Sequence, residues 1–226
     1  MKKRTVMLLS AVLCTLGVES QEDWAGFRRY EKANVTAAKG AKAVFMGNSI
    51  TEGWANSRPE FFIENGYIGR GISGQVTSQM LARFRADVLD LGPKCVVILA
   101  GTNDIAMNKG FISIRNIAGN IFSMAELARA HGIRTIICST LPVYDYPWRK
   151  GLEPADKIIE LNALLRDYAA RNGCLYVDYH SAMKDERNGL PEKYAKDGVH
   201  PTAEGYAVME AIIKPEIDRA AKAKKR

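Results

Sequence analysis

A serine at the end of an apolar run, an aspartate three residues before a histidine, and an asparagine just after a glycine are the residue types that nucleophilic attack on a carbonyl needs. The run Val44-Phe45-Met46-Gly47 leads through Asn48 to Ser49 at a tight turn, with Ile50-Thr51-Glu52-Gly53 following. A serine hydroxyl is a weak nucleophile until a base takes its proton and donors hold the developing oxyanion. A strand-to-helix turn points backbone N–H groups at such a centre. The same serine would also serve as a helix N-cap.

The sequence holds three histidines. His131 closes an apolar-periodic stretch before Gly132, where a cation suits a helix end, and His180 sits in a polar stretch. His200 lies in Asp197-Gly198-Val199-His200-Pro201. On a turn, that spacing lets Asp197 hold the imidazole Nδ1–H and leaves Nε2 free as a base. An Asp-Gly turn ahead of a helix begun near Pro201 reads the same residues without chemistry. Gly101-Thr102-Asn103-Asp104 offers the Asn103 amide as an oxyanion donor, and Gly74 offers a backbone N–H with no Cβ in the way. Each of these is also a plausible turn on its own.

Such groups must be brought together by the elements between them. Short apolar runs at 43–47, 66–71, 95–100, 134–139 and 175–178 alternate with helical periodicity over 75–91, 114–131, 154–172 and 203–221. A first helix is expected over 22–38, carrying Trp24, Phe27 and Tyr30, and a kink in the last helix at Pro215. Strands of this length alternating with helices predict an α/β fold with a parallel sheet covered on both faces. Ligands of such sheets bind beyond the carboxyl ends of the strands, and polar turns fall there at Gly47-Asn48-Ser49, from Gly71 to Gln75, from Gly101 to Asp104, and from Asp178 onward.

The chain has 226 residues, which suits one domain with a continuous core. Residues 1–20 have a basic start and then an apolar run too short to span a bilayer, the layout of a signal peptide, so 21–226 is the expected mature domain. Leu13 before Cys14 does not fit a lipoprotein signal. The net charge of +7 comes largely from that leader and from Arg219, Lys222, Lys224, Lys225 and Arg226 in the tail 219–226. The body is neutral, which argues against a nucleic-acid partner. Of four cysteines, Cys95, Cys138 and Cys174 remain beyond the leader, each in or beside an apolar run. An odd number leaves at least one thiol unpaired, with a Cys95–Cys138 bridge still open. No zinc-type spacing is present, and no metal or other cofactor is expected.

Taken in order, Gly47-Asn48-Ser49, Gly74, Gly101-Thr102-Asn103-Asp104 and Asp197-Gly198-Val199-His200 resemble the four motifs of the SGNH (GDSL-like) hydrolase superfamily. The resemblance spans about 150 residues, the bulk of a domain. It implies a flavodoxin-like three-layer α/β/α sandwich with a five-stranded parallel sheet. It also implies Ser49 as nucleophile, His200 as base and Asp197 as its orienter, with the Ser49 N–H, the Gly74 N–H and the Asn103 amide as oxyanion donors. Asn48 departs from the aspartate usual before the nucleophile. Gly-Ile-Ser-Gly-Gln and Asp-Gly-Val-His-Pro look most like bacterial members related to platelet-activating factor acetylhydrolase and carbohydrate acetylesterases.

The expected substrate is a small-molecule or oligosaccharide ester with a short acyl group. Tyr144, Tyr146 and Trp148, beyond the fourth strand, are candidate contacts together with Asn48, and a lysophospholipase is the alternative within the family. Gly69-Arg70-Gly71-Ile72-Ser73-Gly74 is a formal dinucleotide fingerprint, but it follows the second strand rather than the first. The next strand also ends too far on to supply the acidic partner. A carbohydrate-binding module without catalysis would have no need of the complete set of reactive residues.

Overall fold

The computed structural model describes residues 23–222; the expected leader and the end of the basic tail lie outside them. Five strands, β1 Ala43–Gly47, β2 Tyr67–Gly71, β3 Cys95–Leu99, β4 Arg134–Cys138 and β5 Leu175–Val177, form one parallel sheet in the order β2-β1-β3-β4-β5. This is the flavodoxin-like order, whose switch point lies between β1 and β3. All ten residues of β1 and β3 are buried. That is why they read as continuous apolar runs and not as an alternation.

Two hydrophobic clusters divide the strand residues by parity. Val44, Met46, Val96, Ile98 and Ile137 pack against α4 (Thr77–Asp87), α6 (Ile114–Ala130) and α7 (Pro154–Asn172). Ala43, Phe45, Val97, Leu99 and Ile136 pack on the opposite face against α2 (Ser49–Ser57), α3 (Pro59–Asn65) and α9 (Ala203–Lys222). The result is the expected three-layer sandwich. Short helices α5 (Thr102–Ile105) and α8 (Tyr179–Met183) follow β3 and β5.

The expected helix over 22–38 is instead a 3-10 turn, Phe27–Arg29, and α1, Glu31–Thr36. Gly26 sits at φ 69° ahead of it, and Trp24 and Phe27 are exposed, so their spacing marks no core face. Polar contacts hold the segment down: Tyr30 Oη donates to the Gly71 carbonyl and Gln75 Nε2 to that of Ala25. The helix expected over 75–91 is α4 followed by a separate 3-10 turn, Leu89–Leu91. Helix α9 runs unbroken through Pro215. The cysteines at 95, 138 and 174 are free. Cys95 lies opposite Arg134 and Ile98 opposite Ile137, so Cys95 and Cys138 stand at opposite strand ends. They are about 13 Å apart along the sheet, beyond disulfide reach.

Candidate active site

Gly47 and Gly71 let two backbones close at the end of the sheet. A Cβ on Gly71 would stand 2.2 Å from the Glu52 nitrogen, and one on Gly47 2.9 Å from the Leu99 carbonyl oxygen. The chain then turns into α2 with Asn48 as its N-cap, the Asn48 Oδ1 accepting from the Ile50 N–H at 3.0 Å. Ser49 is therefore not the cap but the first helical residue, with its hydroxyl free for other work. Its Oγ lies 3.0 Å from His200 Nε2.

His200 is held from behind. Its Nδ1 is 2.7 Å from Asp197 Oδ2, while Asp197 Oδ1 accepts the Val199 and His200 N–H groups at 2.9 and 2.8 Å. Partial burial works against the Asp197 charge, but the bonds from the His200 ring and from the His200 and Val199 N–H groups outweigh it. Its pKa is held below the ordinary aspartate value. The two halves of the constellation, 151 residues apart in sequence, are kept in register by α2 packing on α9. Trp54 and Tyr206 stack with ring centroids 5.6 Å apart, and Tyr206 Oη donates to the Ile50 carbonyl at 2.9 Å. His131 and His180 take no part. His131 Nδ1 lies 2.8 Å from the Leu127 carbonyl and His180 is buried on α8.

Across the switch point, Asn103 follows β3 on α5. Its Nδ2 donates to the Gln75 carbonyl at 2.9 Å, which ties it to the loop carrying Gly74. Gly74 has φ 75°, and a Cβ there would meet nothing within 4 Å. Backbone conformation, not crowding, therefore calls for glycine. Among the described residues, no partner takes the N–H of Ser49 or of Gly74. The arrangement thus brings together a hydroxyl, an imidazole held by a carboxylate, and uncommitted N–H donors. Among the described residues no cluster of three or more His, Cys, Asp or Glu side chains could hold a metal.

Two of the expected substrate contacts are buried side chains. The Asn48 side chain is 1% exposed, with its Oδ1 accepting the Ile50 N–H as the α2 cap. Tyr146 is 0% exposed, its hydroxyl donating to the Thr102 carbonyl at 2.9 Å, so it braces α5 from beneath. Trp148, 45% exposed, lies with its ring 6.1 Å from that of His200. Tyr144 is 54% exposed, with the Arg187 guanidinium 4.8 Å over its ring.

Asp104 has a supporting role. Its carboxylate accepts the Thr77 N–H at 3.0 Å and the Thr77 hydroxyl at 2.6 Å, fastening α4 to the Asn103 turn. Burial raises its pKa to about 6 against these bonds. A folded-state pKa above the unfolded one means that the native protein holds the extra proton between about pH 4 and 6. The stabilisation is complete below that window and is lost as pH rises through it. Between pH 4 and 7, the stability of the native protein relative to an Asp104→Asn variant is expected to fall by on the order of 2–3 kcal/mol. Urea unfolding at each pH measures this, and a pH-independent difference would refute it.

A model of the GDSL-like lipase/acylhydrolase family matches residues 45–208. The crystal structure of a GDSL-like lipase from Bacteroides thetaiotaomicron superposes with a TM-score of 0.85 at 49% identity, covering 88% of this chain and 100% of that one. Acetylxylan esterase from Geobacillus stearothermophilus is 24% identical over 215 residues, 79% of this chain and 94% of that protein. The lipoprotein YqeF of Bacillus subtilis is 36% identical over 81 residues, so the match spans only 33% of that relative and 34% of this chain.

Proposed function

Because this chain belongs to the GDSL-like lipase/acylhydrolase family and is an ester hydrolase, we propose that it cleaves esters through a Ser49 acyl-enzyme. The observation that carries this reading is the continuous chain from Ser49 Oγ through His200 to Asp197, at 3.0 and 2.7 Å. His200 Nε2 takes the Ser49 proton as Oγ attacks the ester carbonyl. The N–H groups of Ser49 and Gly74 and the Asn103 amide hold the oxyanion. The alcohol leaves with the proton from His200, and water repeats the sequence on the acyl-enzyme. Asp197 keeps the ring in the tautomer with its hydrogen on Nδ1.

For substrate we propose a short acyl group, acetyl first, on a carbohydrate. The exposed ring of Trp148 beside His200 is suited to a sugar face, with Tyr144 exposed four residues earlier in the chain, and the likeness to an acetylxylan esterase points the same way. Residues 21–226 would act as one domain after export and loss of a leader, a reading the partial likeness to a lipoprotein favours. Among the described residues no helix is long and apolar enough to cross a membrane.

Hydrolysis of p-nitrophenyl acetate, butyrate and decanoate tests the acyl preference. The kcat/KM is expected to fall about tenfold or more from acetate to decanoate, a discrimination within reach of pocket contacts alone. Equal or faster turnover of decanoate would remove the short-acyl reading. Faster hydrolysis of lysophosphatidylcholine than of acetylated xylo-oligosaccharide would replace the carbohydrate by a lipid.

A further inference from the structure

An asparagine can serve an oxyanion only with its nitrogen turned toward it, yet its amide fits a site in either orientation. For Asn103 two bonds decide. Nδ2 donates to the Gln75 carbonyl at 2.9 Å, and Oδ1 accepts from Asn108 Nδ2 at 3.0 Å. Asn108 has the same ambiguity, and its Oδ1 accepts from Trp148 Nε1 at 3.1 Å. An indole N–H can only donate and a peptide carbonyl can only accept. The chain Trp148–Asn108–Asn103–Gln75 therefore has one polarity. Neither amide can reverse without setting donor against donor or acceptor against acceptor. Asn103 Nδ2 carries two hydrogens; Gln75 takes one and the other is left for substrate.

The backbone is bent to put Asn108 in place. The Met107 N–H donates to the Asp104 carbonyl and the Asn108 N–H to that of Asn103, at 2.9 and 3.0 Å, which is the bond pair of a Schellman helix end. That motif calls for a left-handed residue, normally glycine, and here it is Met107 at φ 56°. Such backbone strain persists only where its surroundings enforce it. The Arg149 guanidinium holds the Met107 carbonyl at 2.7 Å.

We propose that Asn108 is a positioning residue of the oxyanion hole, setting the orientation of the Asn103 amide and itself set by the Trp148 indole N–H. This rests on the assignment of Asn103 as an oxyanion donor. Trp148 also borders the His200 ring, so one exposed side chain touches both halves of the site.

The test is kinetic, on p-nitrophenyl acetate with the full-length protein. In Asn108→Asp the carboxylate still accepts from Trp148 but offers Asn103 no donor, so the Asn103 amide turns its nitrogen toward residue 108. The kcat is expected to fall about tenfold or more, with KM within about twofold, the split expected when only transition-state stabilisation is lost. On an Asn103→Ala background the same substitution should add less than about twofold, because residues acting through one another are not additive. Trp148→Phe keeps a ring in place without the N–H. It should lower kcat by about two- to fivefold, and by clearly less on the Asn103→Ala background, which decides the matter should Asn108→Asp fail to fold. Equal losses on both backgrounds, or a raised KM at unchanged kcat, would overturn the proposal. An unchanged kcat in Asn103→Ala alone would instead overturn the oxyanion assignment beneath it.

Discussion

Replacing Ser49 by alanine is expected to lower kcat by on the order of 10⁶ while KM changes little, because the residues of such a set act as a unit. His200→Ala should lose a comparable amount, and the double variant no more than either alone. Asp197→Asn is the sharper test of geometry. Asp197 Oδ1 already holds two backbone N–H groups, so the asparagine oxygen is expected to keep that place and its amide nitrogen to face His200 Nδ1. That donor forces the ring hydrogen onto Nε2, the atom that must accept the Ser49 proton. A loss of about 10⁴ in kcat with an intact fold is the expected outcome. The bonds that depress the Asp197 pKa keep it ionised from weakly acidic to alkaline pH, so the loss should appear across that range. Retention of a tenth of the activity by Asp197→Asn would remove the tautomer argument, and retention by Ser49→Ala would remove the acyl-enzyme.

Ser49 and Asn103 were legible in the sequence because each follows a strand whose burial makes it conspicuous. Ser49 comes after the unbroken apolar run of β1, Asn103 after that of β3, and the sheet order puts both at one switch point. Helix α3 escaped notice although Pro59 opens it and Gly66 closes it in the left-handed conformation. Only seven residues long, it lies against α2 without an apolar period of its own. Tyr144, Tyr146 and Trp148 form a single aromatic cluster in sequence, and nothing local says which ring turns inward. A hydroxyl partner on α5 decides it for Tyr146. Asn108 was hidden for the same reason, since its role depends on a left-handed Met107 that no residue type announces. Asn48 reads as part of a motif, with Ser49 as the possible cap, and the fold makes Asn48 the cap instead.

Arg83 is the residue whose loss should damage the fold most. It lies on the apolar stripe of α4, between Met80 and Phe84 on one side and Asp87 one turn on, and its side chain is 0% exposed. An arginine on a buried stripe with an aspartate four residues later is a signal that a hydrophobic count passes over. Its guanidinium gives Nε to Gln75 Oε1 at 2.6 Å, Nη1 to Asp87 Oδ2 at 2.7 Å, and Nη2 to the Gly47 and Arg70 carbonyls at 3.1 and 2.9 Å. Those two carbonyls belong to the last turns of β1 and β2, so one side chain pins the strand ends that launch Ser49 and the Gly74 loop. Burial lowers its pKa against the attraction of Asp87, but a guanidinium stays charged. Arg83→Met leaves Asp87 buried with the Asn34 amide as its remaining partner and takes one donor each from the Gln75 side-chain oxygen and the Gly47 and Arg70 carbonyls, of which Gly47 keeps the Ile72 N–H. Breaking a buried pair in this way is expected to cost about 3–5 kcal/mol, read as a drop in the urea midpoint. Arg83→Lys should recover little, because one ammonium cannot reach four acceptors set around a planar fork. Adding Asp87→Leu to Arg83→Met removes the buried charge and should restore part of the loss, with the acceptors left short of one donor accounting for the remainder. If Arg83→Met unfolds at the same urea concentration as the native protein, the strand ends are held by the sheet alone. The proximity of Ser49 to Gly74 would then need no side-chain support from α4.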